Sequence, residues 1–385
     1  MRYQGTDIDG PQTGPDKLLL RGNDLVDLIG EKSLLESLFL ALYDKFPSEK
    51  QMNALNRFFD DAFNSIDSDD AIFKIIPQIA TNPAYSLNAL IACLAVDREG
   101  EISSLVPPDL EEIEITESAL AGFYFMAILP IFCGFSAAFP IEKDTSILKR
   151  RLADAKELDG DYIDRIAILF KGNPFANAGE RRLVESVLVS FSAGFGFMTP
   201  SIMTPRISIG SGVSVGIAMI ASCTTAGPWH LGTSQDVIMM FQEMNRKRAG
   251  RPVGEFVNTF LDEKFDGGKK LLGFGHPFFK IDPRVTRLLE IVKEEGLEHE
   301  AIDLFKKVSG KVAVMKKIHP NLEAIHGAIM TSIGFSIPFL GPSIALIGRS
   351  VTMIAHMEER QTKPAFGVKN SVARNYFDKV PMGWL

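Results

Sequence analysis

Cysteine is scarce: Cys93, Cys133 and Cys223 are the only three in 385 residues. Their odd number and wide spacing exclude a disulfide framework and a cysteine-based zinc site, and point to a reducing compartment. An excess of positive charge is lacking as well. The 41 Lys and Arg stand against 48 Asp and Glu, for a net charge of −7. That balance argues against a nucleic-acid partner, although it permits a local basic pocket for an anion. Segments of period two rich in Val, Ile and Thr are few, so no large sheet is expected. No repeat of fixed period and no low-complexity tract occurs. The opening MRYQGTDIDGPQTGPDK has no apolar core of a signal peptide, so a cytoplasmic protein is expected.

Charge is also missing from three runs of about twenty residues, 119–141, 207–230 and 328–348, each long enough to span a bilayer. Pro130 interrupts the first, the second is full of Gly, Ser and Thr, and Pro338 and Pro342 interrupt the third. Their flanks lack the clustered Lys and Arg of a membrane topology. Helices buried in a large core or a subunit interface explain these runs better, and a homodimer without membrane contact is expected.

What is present is helical pattern. Asn23-Asp24 precedes LVDLIG, apolar residues recur at helical spacing over 32–46 until Pro47, and Ser48 opens a helix running to Phe63. The pattern continues at 87–96, 118–129, 163–170, 180–191, 213–222 and 231–244. Pro107-Pro108 and the LEEIEI after it read as a polar connector, as does 156–161. Residues 1–17 read as a mobile or loosely docked arm. Lys, Glu and Asp become frequent from Arg246 to Lys317, and the apolar texture resumes at Ala328. The expected organisation is therefore all-α. Residues 18–231 and 343–385 form a large helical domain, and 232–342 an inserted small one, with a cleft between them where small ligands bind.

Three of the chemically capable residues sit in unusual surroundings. His230 lies in AGPWHLGTSQD, where Gly-Pro stops an apolar run. His276 lies in LLGFGHPFFKIDPR, held on a turn by Gly273, Gly275 and Pro277. Glu323 is an acid on the otherwise apolar segment HPNLEAIHGAIM. Each taken alone reads first as a hydrogen-bonded core or turn residue. The GFGH segment lacks the strand-to-helix context of a phosphate loop. Of the other histidines, His319 and His356 read as structural and His299 as exposed.

Together these segments resemble the citrate synthase family. GPWHLG, GFGHPFFKIDPR, PNLEAIHG and GRSVTMIAH are similar, in order and separation, to that family's GPLHGG, GFGHxxxxxDPR, PNVDxxxG and ARxxGxxAH segments. The resemblance spans residues 18–364. It implies a Claisen-type reaction of an acyl-CoA with a 2-keto acid, coenzyme A thioester being a substrate, with no cofactor and no metal. In that scheme Glu323 is the base beside the acyl α-carbon, and His230 donates to the thioester oxygen. His276 faces the keto oxygen, and Arg284 and Arg349 hold carboxylates of the acceptor. Leu272, Gly273, Phe274 and Gly275 take the coenzyme A.

The departures narrow the reading. The family's base is an Asp, and Glu323 is one methylene longer; His326 stands where Ser is usual. SAGFGFMTPS replaces HADHxxNAST, putting Ser192 and Phe195 at two histidine positions of the acceptor pocket. The RPR-like motif near the carboxyl end is reduced to Lys363-Pro364. The resemblance therefore implies a citrate synthase-like or citryl-CoA lyase-like enzyme whose acceptor is not oxaloacetate. The alternative is a non-catalytic protein of the same fold that binds a CoA thioester or a protein partner.

Overall fold

The computed structural model describes residues 6–12, 16–96, 98–102, 104–105, 115–196, 198–267 and 270–363. The connector expected at Pro107-Pro108 lies outside them, as do Pro364 and the rest of the carboxyl end. The architecture is all-α apart from one small sheet. Helix starts follow local chemistry. Ser33 with Glu36, Ser48 with Gln51, and Asp161 with Asp164 form reciprocal capping boxes, each satisfying backbone N–H groups that the helix leaves unpaired.

The uncharged run at 119–141 is one helix, Glu117–Glu142, buried without a break from Gly122 to Pro140. It continues through Pro130 and Pro140, past the end expected at Leu129. Each proline removes a backbone hydrogen bond, but packing on all sides supplies most of a helix's stability and outweighs that loss. Among the described residues it is the one helix long and apolar enough to cross a membrane, and 83% of its most apolar window is buried inside the protein. Glu49–Ser65, Ser86–Leu94 and Leu340–Gln361 pack around it.

Leu340–Gln361 is buried from Leu340 to Met357 and also packs on Leu34–Tyr43, Ala178–Phe191 and Pro200–Gly210. It carries Arg349 inward. The run at 207–230 breaks into the end of Pro200–Gly210, the helix Val215–Cys223 and a turn. Thr233–Arg248, Val253–Asp266, Glu300–Lys316 and Leu322–Ser332 pack on one another, whereas Pro283–Glu294 packs on Ala178–Phe191 and Leu25–Leu28 as well as on Leu322–Ser332.

The sheet has three antiparallel strands, Asp9–Gln12, Lys17–Leu20 and Asn23–Asp24, with Asp9 opposite Leu20. The loosely docked arm expected over 1–17 is therefore corrected for residues 6–12. Ile8 is fully buried and Asp9 nearly so. A polar, Gly- and Pro-containing segment is drawn into the core because the Asp9 carboxylate meets the buried His356 there.

Candidate active site

The turn before Thr233–Arg248 sets His230. The N–H groups of His230 and Gly232 both bond the Gly227 carbonyl, at 2.9 and 3.1 Å, and Leu231 takes a left-handed φ of 54° to close the turn. Ser201, in the first turn of Pro200–Gly210, meets the imidazole. Its backbone N–H donates to Nε2 at 3.4 Å, and its hydroxyl lies 3.0 Å from the same atom. An amide N–H can only donate, so Nε2 accepts and the ring proton sits on Nδ1. Burial, helped by the charge of Arg349, pushes the His230 pKa down to about 4. The helix N-terminus at Ser201 likewise disfavours an imidazolium. The ring is a neutral hydrogen-bond donor at physiological pH.

His276 is fixed by the same logic in the opposite tautomer. The N–H groups of Phe278 and Phe279 both donate to Nδ1 at 3.2 Å, leaving the proton on Nε2. Burial first, then the charge of Arg284, lowers its pKa to about 4. The two flanking glycines are needed for their backbone: Gly273 and Gly275 have φ of 80° and 83°, a region most residues avoid. Gly275 N–H bonds the His319 carbonyl, Asn321 N–H bonds that of Gly273, and Asn321 Nδ2 bonds that of Gly275. The His276 turn is thereby stitched to the start of the helix that carries Glu323.

Asn321 caps that helix, Leu322–Ser332, by accepting from Glu323 N–H. The Glu323 Oε2 atom is shielded from solvent and has no hydrogen-bond partner among the described residues. The two arginines differ sharply. Arg284 is engaged by Asp282 through two bonds, Nε at 2.9 Å and Nη2 at 2.7 Å. Burial alone would raise the Asp282 pKa, but Arg284 and His276 more than offset it and keep the carboxylate ionised. Arg349 is buried with Nε and Nη1 unpartnered among the described residues. Its pKa falls to about 10, mainly through burial, with Asp9 and Glu323 opposing and Arg284 reinforcing the shift. Gly194 lets the guanidinium approach, since a Cβ there would collide with Nη1.

His230, His276, Glu323, Arg284, Arg349 and Phe195 all line one cavity of about 320 Å³. Its apolar wall includes Phe195, whose ring stacks on Phe278 at 4.7 Å and tilts against His276 at 5.1 Å. Ser192 does not line it: the hydroxyl donates to the Val189 carbonyl at 2.7 Å, and the side chain is buried. That corrects its expected substrate contact, because a serine at a helix end satisfies itself most cheaply on its own backbone. His326 is also absent from the lining. It is fully buried behind Glu323, its ring 5.2 Å from that of Phe191. Leu272, Gly273, Phe274 and Gly275 form the turn beside the cavity without lining it. His299 is half-buried, and its Nδ1 caps Glu300–Lys316. Among the described residues no cluster of three or more His, Cys, Asp or Glu could hold a metal ion.

Sequence reasoning missed several residues here. Asn321 and Asp282 stand inside the quoted motifs and could have been found as the partners of a strained turn and of Arg284. Trp229, 86% exposed at the cavity rim, adjoins His230. Asp9 gave no signal. Its carboxylate accepts from Gly194 N–H at 2.6 Å and lies 2.7 Å from His356 Nε2, and it sits close enough to Arg349 to influence its charge.

Comparison with known proteins bears on the family and the fold. The chain is 22% identical to the citrate/2-methylcitrate synthase of Bacillus subtilis over 363 residues, 92% of this chain and 89% of that one. It is 32% identical to the citrate synthase of Corynebacterium glutamicum over 148 residues, which is 35% of this chain and 32% of that one. The ternary complex of Thermoplasma acidophilum citrate synthase with carboxymethyl coenzyme A and oxaloacetate superposes with a TM-score of 0.74 at 16% identity, covering 96% of this chain and 92% of that one. Citrate synthase from Thermotoga maritima does so at 0.70 and 17%, covering 93% and 89%. The model of the citrate synthase C-terminal domain matches residues 1–367, and the chain belongs to the citrate synthase family.

Proposed function

We propose that this protein joins an acyl-CoA thioester to a 2-keto acid by Claisen condensation, or cleaves the corresponding product. The observation that carries this reading is the convergence on one cavity of two neutral histidines, an acid with an unpartnered oxygen and an unpartnered arginine. Glu323 takes the α-proton while the C–H electron pair moves toward the thioester oxygen, where His230 donates a hydrogen bond. The α-carbon attacks the keto carbon, and His276 Nε2–H donates to the oxygen as it becomes an alkoxide. Water then cleaves the product thioester and frees the thiol. The same groups serve the reverse direction, since the base of one direction is the acid of the other. Leu272, Gly273, Phe274 and Gly275 are assigned to the coenzyme A.

The acceptor we infer carries one carboxylate and an apolar tail. Arg284 already has both ends of its fork on Asp282, so Arg349 is the guanidinium free to form a new two-point clamp. Phe195 and Phe278 offer no donor to a second carboxylate, and burying an unpaired anion beside them is costly. The protein acts in the cytoplasm as a homodimer. Support comes from Met203, Ile207 and Ile217, which are 41%, 65% and 50% exposed on adjoining helices, an apolar face suited to a subunit contact. A small domain near 232–342 closes over the ligands.

Incubation with acetyl-CoA and longer acyl-CoAs against a panel of keto acids, following free thiol, tests the reading. Turnover with an apolar monocarboxylic keto acid is expected. Efficient citrate formation from oxaloacetate would refute the acceptor assignment, and inertness with every pair would favour a non-catalytic thioester-binding protein.

A further inference from the structure

Glu323 and His326 lie three residues apart on the helix Leu322–Ser332, facing the same way. The His326 ring is wholly shut off from solvent, and among the described residues neither Nδ1 nor Nε2 has a hydrogen-bond partner. Glu323 Oε2 is shielded and unpartnered too, and lies 3.8 Å from His326 Nδ1. Buried polar groups are rarely left unpaired, because each costs about 1–3 kcal/mol when desolvated without a bond. Two of these three atoms, Nδ1 and Oε2, face each other across a gap that is too long for a hydrogen bond by less than an ångström. A small side-chain rotation of the glutamate closes it. Hydrogen bonds of this sort commonly tighten when substrate binds.

We propose that His326 is a positioning residue for Glu323, its Nδ1–H donating to Oε2 so that the other carboxylate oxygen is held toward the cavity. The inference rests on the reading of Glu323 as the base. A glutamate has three side-chain torsions, and without a partner its carboxylate samples several rotamers; a fixed donor at one oxygen selects among them. Phe191 packs edge-on against the imidazole at 5.2 Å and blocks it from turning away. His326 moves no proton itself and touches no substrate. The α-proton still passes to Glu323, and the histidine keeps its own.

Exchange of acyl-CoA α-protons with deuterated solvent, measured without acceptor, tests this directly. His326→Leu fills the same space without a donor and should lower the exchange rate by about 100-fold, the scale of a misplacement of roughly 1 Å, with KM for the thioester nearly unchanged. His326→Asn presents an amide N–H close to where Nδ1 stood and should recover most of the loss. Full exchange in His326→Leu would overturn the inference, as would equal loss in both variants accompanied by equal loss of thermal stability. Wild-type protein that exchanges no thioester would overturn the reading of the base, and this inference with it. The 15N-labelled imidazole gives a readout that needs no His326 variant. Its Nδ1–H resonance should move upfield in Glu323→Gln when thioester is bound, and an unmoved resonance would count against the bond.

Discussion

Asp9 Oδ1 lies 2.7 Å from His356 Nε2 across 347 residues of chain, and both side chains are closed to solvent. Arg206 Nη1 sits 2.8 Å from the other ring nitrogen. A guanidinium can only donate, so Nδ1 accepts and Nε2–H points at Asp9. Burial alone would raise the Asp9 pKa, but His356, Gly194 N–H and Arg349 together hold it below the ordinary carboxylate value. The amino-terminal strand thus supplies the counter-charge beneath the cavity wall.

Asp9→Asn should therefore destabilise the protein by about 1.5–3 kcal/mol, the usual worth of a buried hydrogen bond to a charged group. Urea denaturation would measure it. His356→Gln should cost a similar amount and the double variant less than the sum. Strict additivity would show that the pair does not act as a unit.

The two cavity histidines set a pH dependence. Each has its folded pKa near 4, below the ordinary 6.5, so the unfolded chain binds their protons more readily than the native one. Their effect is nil above about pH 6.5, and stability is lost as pH falls from there toward 4. Thermal melting across this range should show the decline. His230→Asn should make it shallower, and an unchanged slope would mean that the ring is not held neutral.

Glu323→Gln should abolish exchange of acyl-CoA α-protons and leave thioester affinity within a few-fold of wild type, because it removes a base and little volume. Loss of binding in step with exchange, measured by calorimetry, would mark Glu323 as a binding residue.

Arg349→Ala and Arg284→Ala should fail in different ways. Arg349 lines the cavity and its buried Nε and Nη1 have no partner among the described residues, so its removal should weaken acceptor binding and spare the fold. Arg284 neutralises Asp282, which is almost fully buried, so its removal should strand that carboxylate and cost about 3–5 kcal/mol of stability. Acceptor KM and denaturation midpoints, compared for both variants, would separate the two roles.

The exposed apolar side chains of Met203, Ile207 and Ile217 should be covered in a homodimer. Ile207→Glu together with Ile217→Glu should shift sedimentation from dimer to monomer at micromolar concentration. A wild-type monomer under those conditions would remove the assignment.

Much of this was open to reading in the chain itself. Helical spacing, the serine and aspartate caps, and the turns around His230 and His276 are local matters, decided by a few neighbouring residues. They placed the helices and the chemically capable side chains. Pro130 misled because a proline's local cost is visible and the burial that offsets it is not. What a side chain meets across the fold was settled only by packing. Phe195 and Arg349 turned into the cavity, Ser192 bonded back to Val189, Arg284 was claimed by Asp282, and His326 was sealed behind Glu323. The starkest case is Asp9, a carboxylate in a polar leader with nothing nearby to mark it. Its role exists only because the fold brings a buried histidine from the last described helix within 2.7 Å, and no periodicity or motif encodes a contact at that range.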